Sequence, residues 1–411
     1  MFNSMKWYKF SRGFFTAIVV TSFFLNPTSA HLKVGITDKT EELVTANNRF
    51  SFKLLTQLAQ EDVNENIFIS PISIAMAMTM TFNGAAGQTR ADMAFALELD
   101  DLKRPELNQA YAELGKVLKS LNSQVELTIA NSLWARRGIN FQQDFLERNQ
   151  KFFGAQISTV DFNDAGALND INEWVDNVTK GKITKIIDRF DPLTAMFLTN
   201  AIYFKGEWSE KFDESKTKDG LFHLIDGRKK VVPMMNQQGR FPYFKGDDFQ
   251  AVSLSYGDGD VGMYIFLPEK GASVSDFIGS ITEEKWDTWI SKFRRWPGKV
   301  SLVRFKMVYE KKLNNALKAL GMGSAFDPIR ADFSDLYSGD LPNVYISNVM
   351  HKAVVEVNEE GTEAAAATGV TFAYSSYQEP FNFVVDRPFF FAIRDNQTGT
   401  LLFMGMVSEP E

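Results

Sequence analysis

The sequence predicts an α+β fold built as one large domain, with helices gathered early in the chain and strands late. Three observations carry that expectation. Apolar residues recur at helical spacing through the first half and in short strand-like runs through the second. The 411 residues are 45% hydrophobic, with 37 phenylalanines and no cysteine, so the fold must be held by its core rather than by disulfides. Length alone would suit two or three domains of ~150 residues, yet no Pro/Gly/Ser-rich linker and no internal repeat divides the chain.

Met1 to Ala30 places Lys6, Lys9 and Arg12 ahead of an uncharged run from Gly13 to Leu25, followed by Asn-Pro-Thr-Ser-Ala. This is the layout of a secretory signal peptide. The apolar run is short of the ~20 residues of a spanning helix. Cleavage after Ala30 removes three cations and no acid, moving the net charge from -7 to -10. An acidic exported protein, secreted or periplasmic in a bacterium, is not expected to bind nucleic acid or, once the leader is gone, membranes.

Leu43 to Ala59 reads as an amphipathic helix, and Asn66 to Gly84 as a short strand IFIS, a Ser-Pro step and an apolar helix that must lie deep inside. Glu126 to Ala135 is a predicted strand, Ala165 to Ile187 a helix stopping near Gly181, and Ala195 to Trp208 a buried strand. Further strands are expected at Ala251–Tyr256, Val261–Leu267, Val300–Tyr309, Val344–Ile346, Ala353–Val357, Phe381–Val385, Phe389–Ile393 and Leu401–Val407.

The stretch from Glu356 to Ser376 is unlike the rest. Glu359, Glu360 and Gly361 lead into Thr362, Glu363 and four alanines, Ala364, Ala365, Ala366 and Ala367, so almost nothing there can anchor a core. At period two, Thr362, Ala364, Ala366, Thr368, Val370 and Phe372 share one uncharged face. Alanine and glycine are poor strand formers, so the segment can become a strand without local propensity making it one. Such conflict between local preference and an available global state marks a two-state element.

Several stretches resemble, in order, those of the serpin (serine protease inhibitor) family: NNRFSFKLL from Asn47, NIFISPISIAMAM from Asn66, INEWVDNVTKGKI from Ile171 and TNAIYFKGEW from Thr199. They continue with FKMVYEKKLNNALKALGMGSAF from Phe305, ADFS from Ala331, HKAVVEVNEEGTEAAAAT from His351, and DRPFFFAI with FMGMV near the end. The resemblance spans essentially all of residues 31–411, read as a single serpin domain. It implies helices packed on a large, mostly antiparallel sheet whose two central strands can part, with further smaller sheets. It also implies an exposed reactive-centre loop at about 359–380 that a protease attacks as bait. The freed loop end then inserts as a new strand, a known case of strand addition. About 14 residues at ~3.3 Å each would carry the protease some 45 Å.

The hinge pattern implied by the family is met at Glu359, Gly361, Thr362 and Ala364 to Ala367, and Glu363, the one charge from Gly361 to Phe372, points outward at period two. Ser70, Ser73, Asn200 and His351 match positions that latch the middle of the parting sheet; buried, they would need one another's hydrogen bonds. The family's register places the cut between Ser375 and Ser376. Side-chain chemistry favours Tyr374 before Ser375, and Tyr377 before Gln378 is a third candidate. No Arg or Lys lies between Lys352 and Arg387, so chymotrypsin-, elastase- or subtilisin-like serine proteases are expected rather than trypsin-like ones, with a cysteine protease as a second target class.

An enzyme is not expected. There is no cysteine, no His-Glu-x-x-His, no Gly-x-Ser-x-Gly and only three histidines, His31, His223 and His351. Gly257, Gly259 and Gly262 spell a dinucleotide fingerprint but sit between two strands, as a hairpin would. Asp161 and Asn163 begin a calcium-loop pattern that Ala165 and Asn172 break. Neither metal nor cofactor is therefore expected, and the chain should act as a monomer. A polyanion activator would need Arg228, Lys229 and Lys230 or Lys292, Arg294 and Arg295, short runs that read as ordinary solvated surface. The rival on the same fold is a non-inhibitory carrier, chaperone or storage protein, whose hinge would be expected to carry bulky or charged residues.

Overall fold

The computed structural model describes residues 35–121, 124–190, 194, 196–338, 344–361 and 379–411, apart from the side chains of residues 165, 200 and 201. The hinge residues Thr362 and Ala364 to Ala367, and all four scissile-bond candidates, Tyr374, Ser375, Ser376 and Tyr377, lie outside them, as does the leader through Ala30.

The chain opens with α1 (Asp38–Glu61), whose N-terminus is capped by the Thr37 side chain and whose Leu43, Phe50, Leu54 and Leu58 are fully buried. After β1 (Ile67–Ile69), Pro71 begins α2 (Pro71–Phe82), every residue of which is buried. Proline suits that first helical turn because the missing N–H has no intrahelical partner there. Helices α3 (Gly87–Ala96) and α4 (Arg104–Lys119) lead to β2 (Val125–Arg136), α5 (Gln143–Phe153), β3 (Gln156–Val160), α6 (Ala165–Val178) and β4 (Met196–Gly206). The second half runs β5 (Lys218–His223), β6 (Lys229–Lys245), β7 (Phe249–Tyr256), β8 (Val261–Pro268), α7 (Val274–Gly279) and α8 (Glu283–Lys292). It closes with β9 (Arg294–Val303), β10 (Phe305–Lys312), the short α9 (Asn314–Leu317), β11 (Met350–Val357), β12 (Phe381–Val384), β13 (Phe389–Asp395) and β14 (Leu401–Val407). The architecture is α+β.

Among the described residues the strands form three sheets. Nine make one sheet in the order β1-β14-β13-β8-β7-β6-β9-β12, with β5 added on β6. A second sheet is β3-β2-β4 and a third is the hairpin-like pair β10-β11. Pairing is antiparallel except for β2 with β3 and β9 with β12. Sheet β3-β2-β4 has the main core on one side. On the other, α6 brings Ile171 and Val175 onto Trp134, Val160 and Phe197, and Val354 of β11 packs against the same cluster.

Two strand expectations change. Val300–Tyr309 is not one strand: Arg304 breaks it, its N–H turning to the carbonyl of Pro233, so that β9 pairs with β6 and β10 with β11. The apolar run is continuous because both halves are buried, which hides the change of sheet. Val344–Ile346 is not a strand; the Ile346 N–H bonds to the Ala325 carbonyl. The glycine run at 257–262 is the turn between β7 and β8, with Tyr256 opposite Val261, as the hairpin reading expects. Asp164, rather than a calcium loop, caps α6 by accepting from Gly166.

Candidate functional site

Strands β4 and β11 lie side by side, but no backbone ladder joins them among the described residues: β4 pairs only with β2, and β11 only with β10. Backbone donors and acceptors in a protein interior are almost always paired, so two neighbouring strands without a ladder between them form a place where a further strand can be accommodated.

At one end of that seam the chain leaves β11 through a tight turn. Asn358 and Gly361 exchange both backbone hydrogen bonds at 3.2 Å, and the Asn358 side chain accepts from the Glu360 N–H at 3.1 Å. The turn is held against the end of β4 by three donors: the Trp208 N–H to the Glu360 carbonyl at 3.0 Å, the Phe212 N–H to the Glu359 carbonyl at 2.8 Å, and the Trp208 indole to the Asn358 carbonyl at 2.9 Å. Trp208 is itself clamped by Tyr256, ring stacked on ring at 4.3 Å.

Gly361 bridges antiparallel to Glu207, at φ +111°. A Cβ there would lie 2.4 Å from the Gly206 carbonyl oxygen and 2.5 Å from the Trp208 nitrogen. Both the dihedral and the backbone contact therefore require glycine. The hinge glycine is thus where the chain turns back beside β4.

Glu359 has its side chain only 4% exposed. Its carboxylate accepts from the Thr217 hydroxyl at 2.7 Å and lies 3.4–3.5 Å from the Arg304 guanidinium. The short Thr217 bond is the better-formed contact; Arg304 is half exposed and its charge is screened, so it contributes less than a dry ion pair would. Arg304 is also the residue that ends β9, so one side chain serves the sheet break and the hinge.

Deeper along the seam, His351 on β11 is 2% exposed and its Nε2 faces the Ser70 N–H at 3.3 Å. Nε2 must accept there, which puts the proton on Nδ1 and leaves the ring neutral. Burial pushes its pKa down to about 4. Ser70 turns its hydroxyl to the Leu402 carbonyl at 2.8 Å instead of to His351. Ser73 is fully buried, and its Oγ has no partner among the described residues; Thr199 Oγ1 on β4 and Asn348 Oδ1 before β11 share that condition. The four-residue latch thus becomes one backbone-mediated contact between His351 and Ser70. Asn200 is placed only by register, opposite Asn131 on β2. Leu198 of β4 and His351 of β11 line one small cavity with Ile74 and Met78 of α2.

The downstream side is anchored too. The Trp296 indole donates to the Glu379 carbonyl at 2.9 Å, and Phe381 stacks on Tyr243 at 4.0 Å. Of the basic runs, Arg228 and Lys230 pair with Glu409, and Arg228 also with Asp226, while Arg294 is spent on the carbonyls of Ser291 and Phe293. Trp208, Phe212, Thr217, Tyr256 and Arg304 were not singled out from sequence. The Gly-Glu-Trp of the Thr199 motif was the available signal for Trp208; Thr217 and Arg304 carry none, because they meet Glu359 only in the fold.

Comparisons with known proteins point to one family. The family model described as "Serpin (serine protease inhibitor)" matches residues 45–410. The human leukocyte elastase inhibitor is 35% identical over 90% of this chain and 100% of its own. The native crystal structure of the thermophilic serpin tengpin superposes with a TM-score of 0.83 at 33% identity, over 91% of this chain and 95% of its own. Human thyroxine-binding globulin in complex with thyroxine superposes at 0.82 and 28% identity, over 90% and 99%.

His351 supplies a pH test. Its folded pKa lies below the ordinary 6.5, so the unfolded chain binds the proton first. The stabilisation is whole above about pH 6.5 and is lost as pH falls from there towards 4. About 2 kcal/mol should be gone at pH 5. Urea midpoints measured from pH 7.5 to 4.5 should fall less steeply for His351→Gln than for the parent chain; parallel curves would show that the ring is not buried neutral.

Proposed function

The chain belongs to the serpin family, and on that premise we propose that it is a suicide-substrate inhibitor of serine endopeptidases of the chymotrypsin, elastase or subtilisin type. The observation that carries the reading is the hinge. Gly361 turns the chain back at the mouth of a seam that no ladder closes among the described residues, and the sequence that follows is small and almost uncharged.

In this mechanism the loop at about 359–380 is the bait. The protease serine attacks the loop, forms an ester with its newly made carbonyl end and severs the chain from its downstream arm, which stays paired in the nine-stranded sheet. The loop inserts between β4 and β11, starting from the turn at Asn358–Gly361, and pairs on both sides. Each hydrogen bond contributes about 1 kcal/mol net. Pulling the acylated serine away from its histidine and oxyanion donors stalls hydrolysis, since losing one such donor alone costs a factor of ~100 to 1,000. Insertion has to outrun that hydrolysis, which is why Thr362 and Ala364 to Ala367 are small. Ser70, Ser73, Asn200 and His351 act in this proposal as groups across which the strands separate, and the chain works as a monomer without a polyanion. A carrier on the same fold is the second reading, and the thyroxine-binding neighbour is the observation that favours it; the small, nearly uncharged hinge favours inhibition.

The proposal is tested on the purified protein and on one variant. The purified exported protein should have His31 as its first residue; a chain still beginning at Met1 would contradict the leader assignment. Mixed with chymotrypsin, elastase, subtilisin and trypsin, it should form a denaturant-resistant complex with at least one of the first three and none with trypsin. The mass of the C-terminal peptide freed on denaturing the complex should place Ser375, Ser376 or Gln378 at its start. Thr362→Arg would bury a charge at the leading edge of insertion, at several kcal/mol, and should convert the inhibitor into a cleaved substrate. Full inhibition by that variant would contradict the hinge account.

A further inference from the structure

Three arginines from three helices converge on the turn that ends α2. Arg148 of α5 donates from Nη1 to the Asn83 carbonyl at 3.1 Å, while Arg90 of α3 and Arg104 of α4 donate to the Ala85 carbonyl at 2.8 and 3.3 Å. Arg90 and Arg104 also share one oxygen of a single carboxylate, Asp335 Oδ2, at 2.6 and 2.9 Å. Two carbonyls and one acid thus hold three guanidiniums together.

The charges there do not balance. A cation beside a helix C-terminus is favourable, because the end of α2 carries the equivalent of about half a negative charge. Asp335 adds one more. Three guanidiniums exceed both together, and the start of α4, whose first residue is Arg104 and which no side chain caps, adds about half a positive charge.

Arg148 bears the excess. It is partly buried, no carboxylate lies within ion-pair distance of it among the described residues, and its Nε and Nη2 have no partner there. Burial first, and then the charge of Arg104, pulls its pKa below the ordinary arginine value; Asp144, one turn earlier on α5 and exposed, offsets this only in part. Like charges gathered at a half-dry surface favour a bound anion.

We propose that Arg90, Arg104 and Arg148 form a site for a tetrahedral dianionic oxyanion, either free phosphate or the terminal phosphate of a monoester. Guanidinium forks arriving from three helices can each engage a different oxygen of a tetrahedral group, whereas a planar carboxylate satisfies one fork. The cluster is compact, which suits a single phosphate rather than a polymer. The inference is independent of the inhibitory mechanism, for the site uses no residue of the seam or the hinge.

The test is calorimetric titration of the full chain at pH 7.5, in a chloride buffer of fixed ionic strength, with inorganic phosphate, glycerol 3-phosphate and acetate. One equivalent of phosphate or of glycerol 3-phosphate should bind, with acetate at least 10-fold weaker. Tighter binding of glycerol 3-phosphate would assign the monoester, and otherwise the free ion is the ligand. Arg148→Gln, which removes the uncompensated charge, should weaken phosphate binding at least 10-fold while the thermal midpoint in phosphate-free buffer is kept or raised. Asp335→Asn removes the competing acid, so it should lower that midpoint, bind phosphate at least 3-fold more tightly than the parent chain and regain the midpoint when phosphate is added. Absence of saturable phosphate binding, unchanged affinity in Arg148→Gln, or weaker binding by Asp335→Asn would each overturn the proposal.

Discussion

The proposed inhibition depends on a ladder that is not made, among the described residues, between β4 and β11. Each strand is paired on one side only, by β2 and by β10, and the described interior beside them holds unpartnered polar atoms at Ser73, Thr199 and Asn348. Interiors rarely tolerate such groups without a reason. A fold that keeps two buried strands adjacent but unjoined stores free energy, on the order of 1 kcal/mol for each hydrogen bond a further strand could form. In the proposed mechanism the hinge delivers that strand. Gly361 is pressed onto the end of β4, where no other residue fits, and Glu359 is sunk beside Thr217 and Arg304.

The same sites explain why the seam does not simply collapse. Trp208, stacked on Tyr256, donates two hydrogen bonds to the turn, one from its backbone and one from its indole. Downstream of residues 362–378, Trp296 and Tyr243 hold Glu379 and Phe381. The described chain is thus held by aromatic clamps on both sides of residues 362–378. A protease that cuts between the tethers frees the upstream arm while leaving the downstream one in the nine-stranded sheet.

Much of this was legible in the sequence, wherever the signal is local. The opening helix, the buried α2 behind its Ser-Pro step, and strands β2, β4, β7, β8, β13 and β14 follow from periodicity and turn residues, and the α+β class follows from their order. What escaped is non-local. Arg304 looks like an ordinary surface cation within one apolar run, because the change of sheet on either side of it leaves no mark on hydrophobicity. Thr217 meets Glu359 across 142 positions. The latch was legible as a set of residues but not as a set of bonds: burial of Ser70, Ser73 and His351 follows from their apolar surroundings, whereas the choice of the Leu402 carbonyl over His351 by the Ser70 hydroxyl depends on where β14 runs.

The most direct test of stored free energy compares thermal unfolding of the intact chain with that of the chain cleaved once between Glu359 and Glu379 by a protease that it does not trap. If the seam accepts the freed arm as a strand paired on both sides, the cleaved protein must unfold at a distinctly higher temperature than the intact one, although a peptide bond has been lost. An unchanged or lower unfolding temperature after cleavage would mean that the seam stores nothing for insertion to release, and the account would fail at its centre.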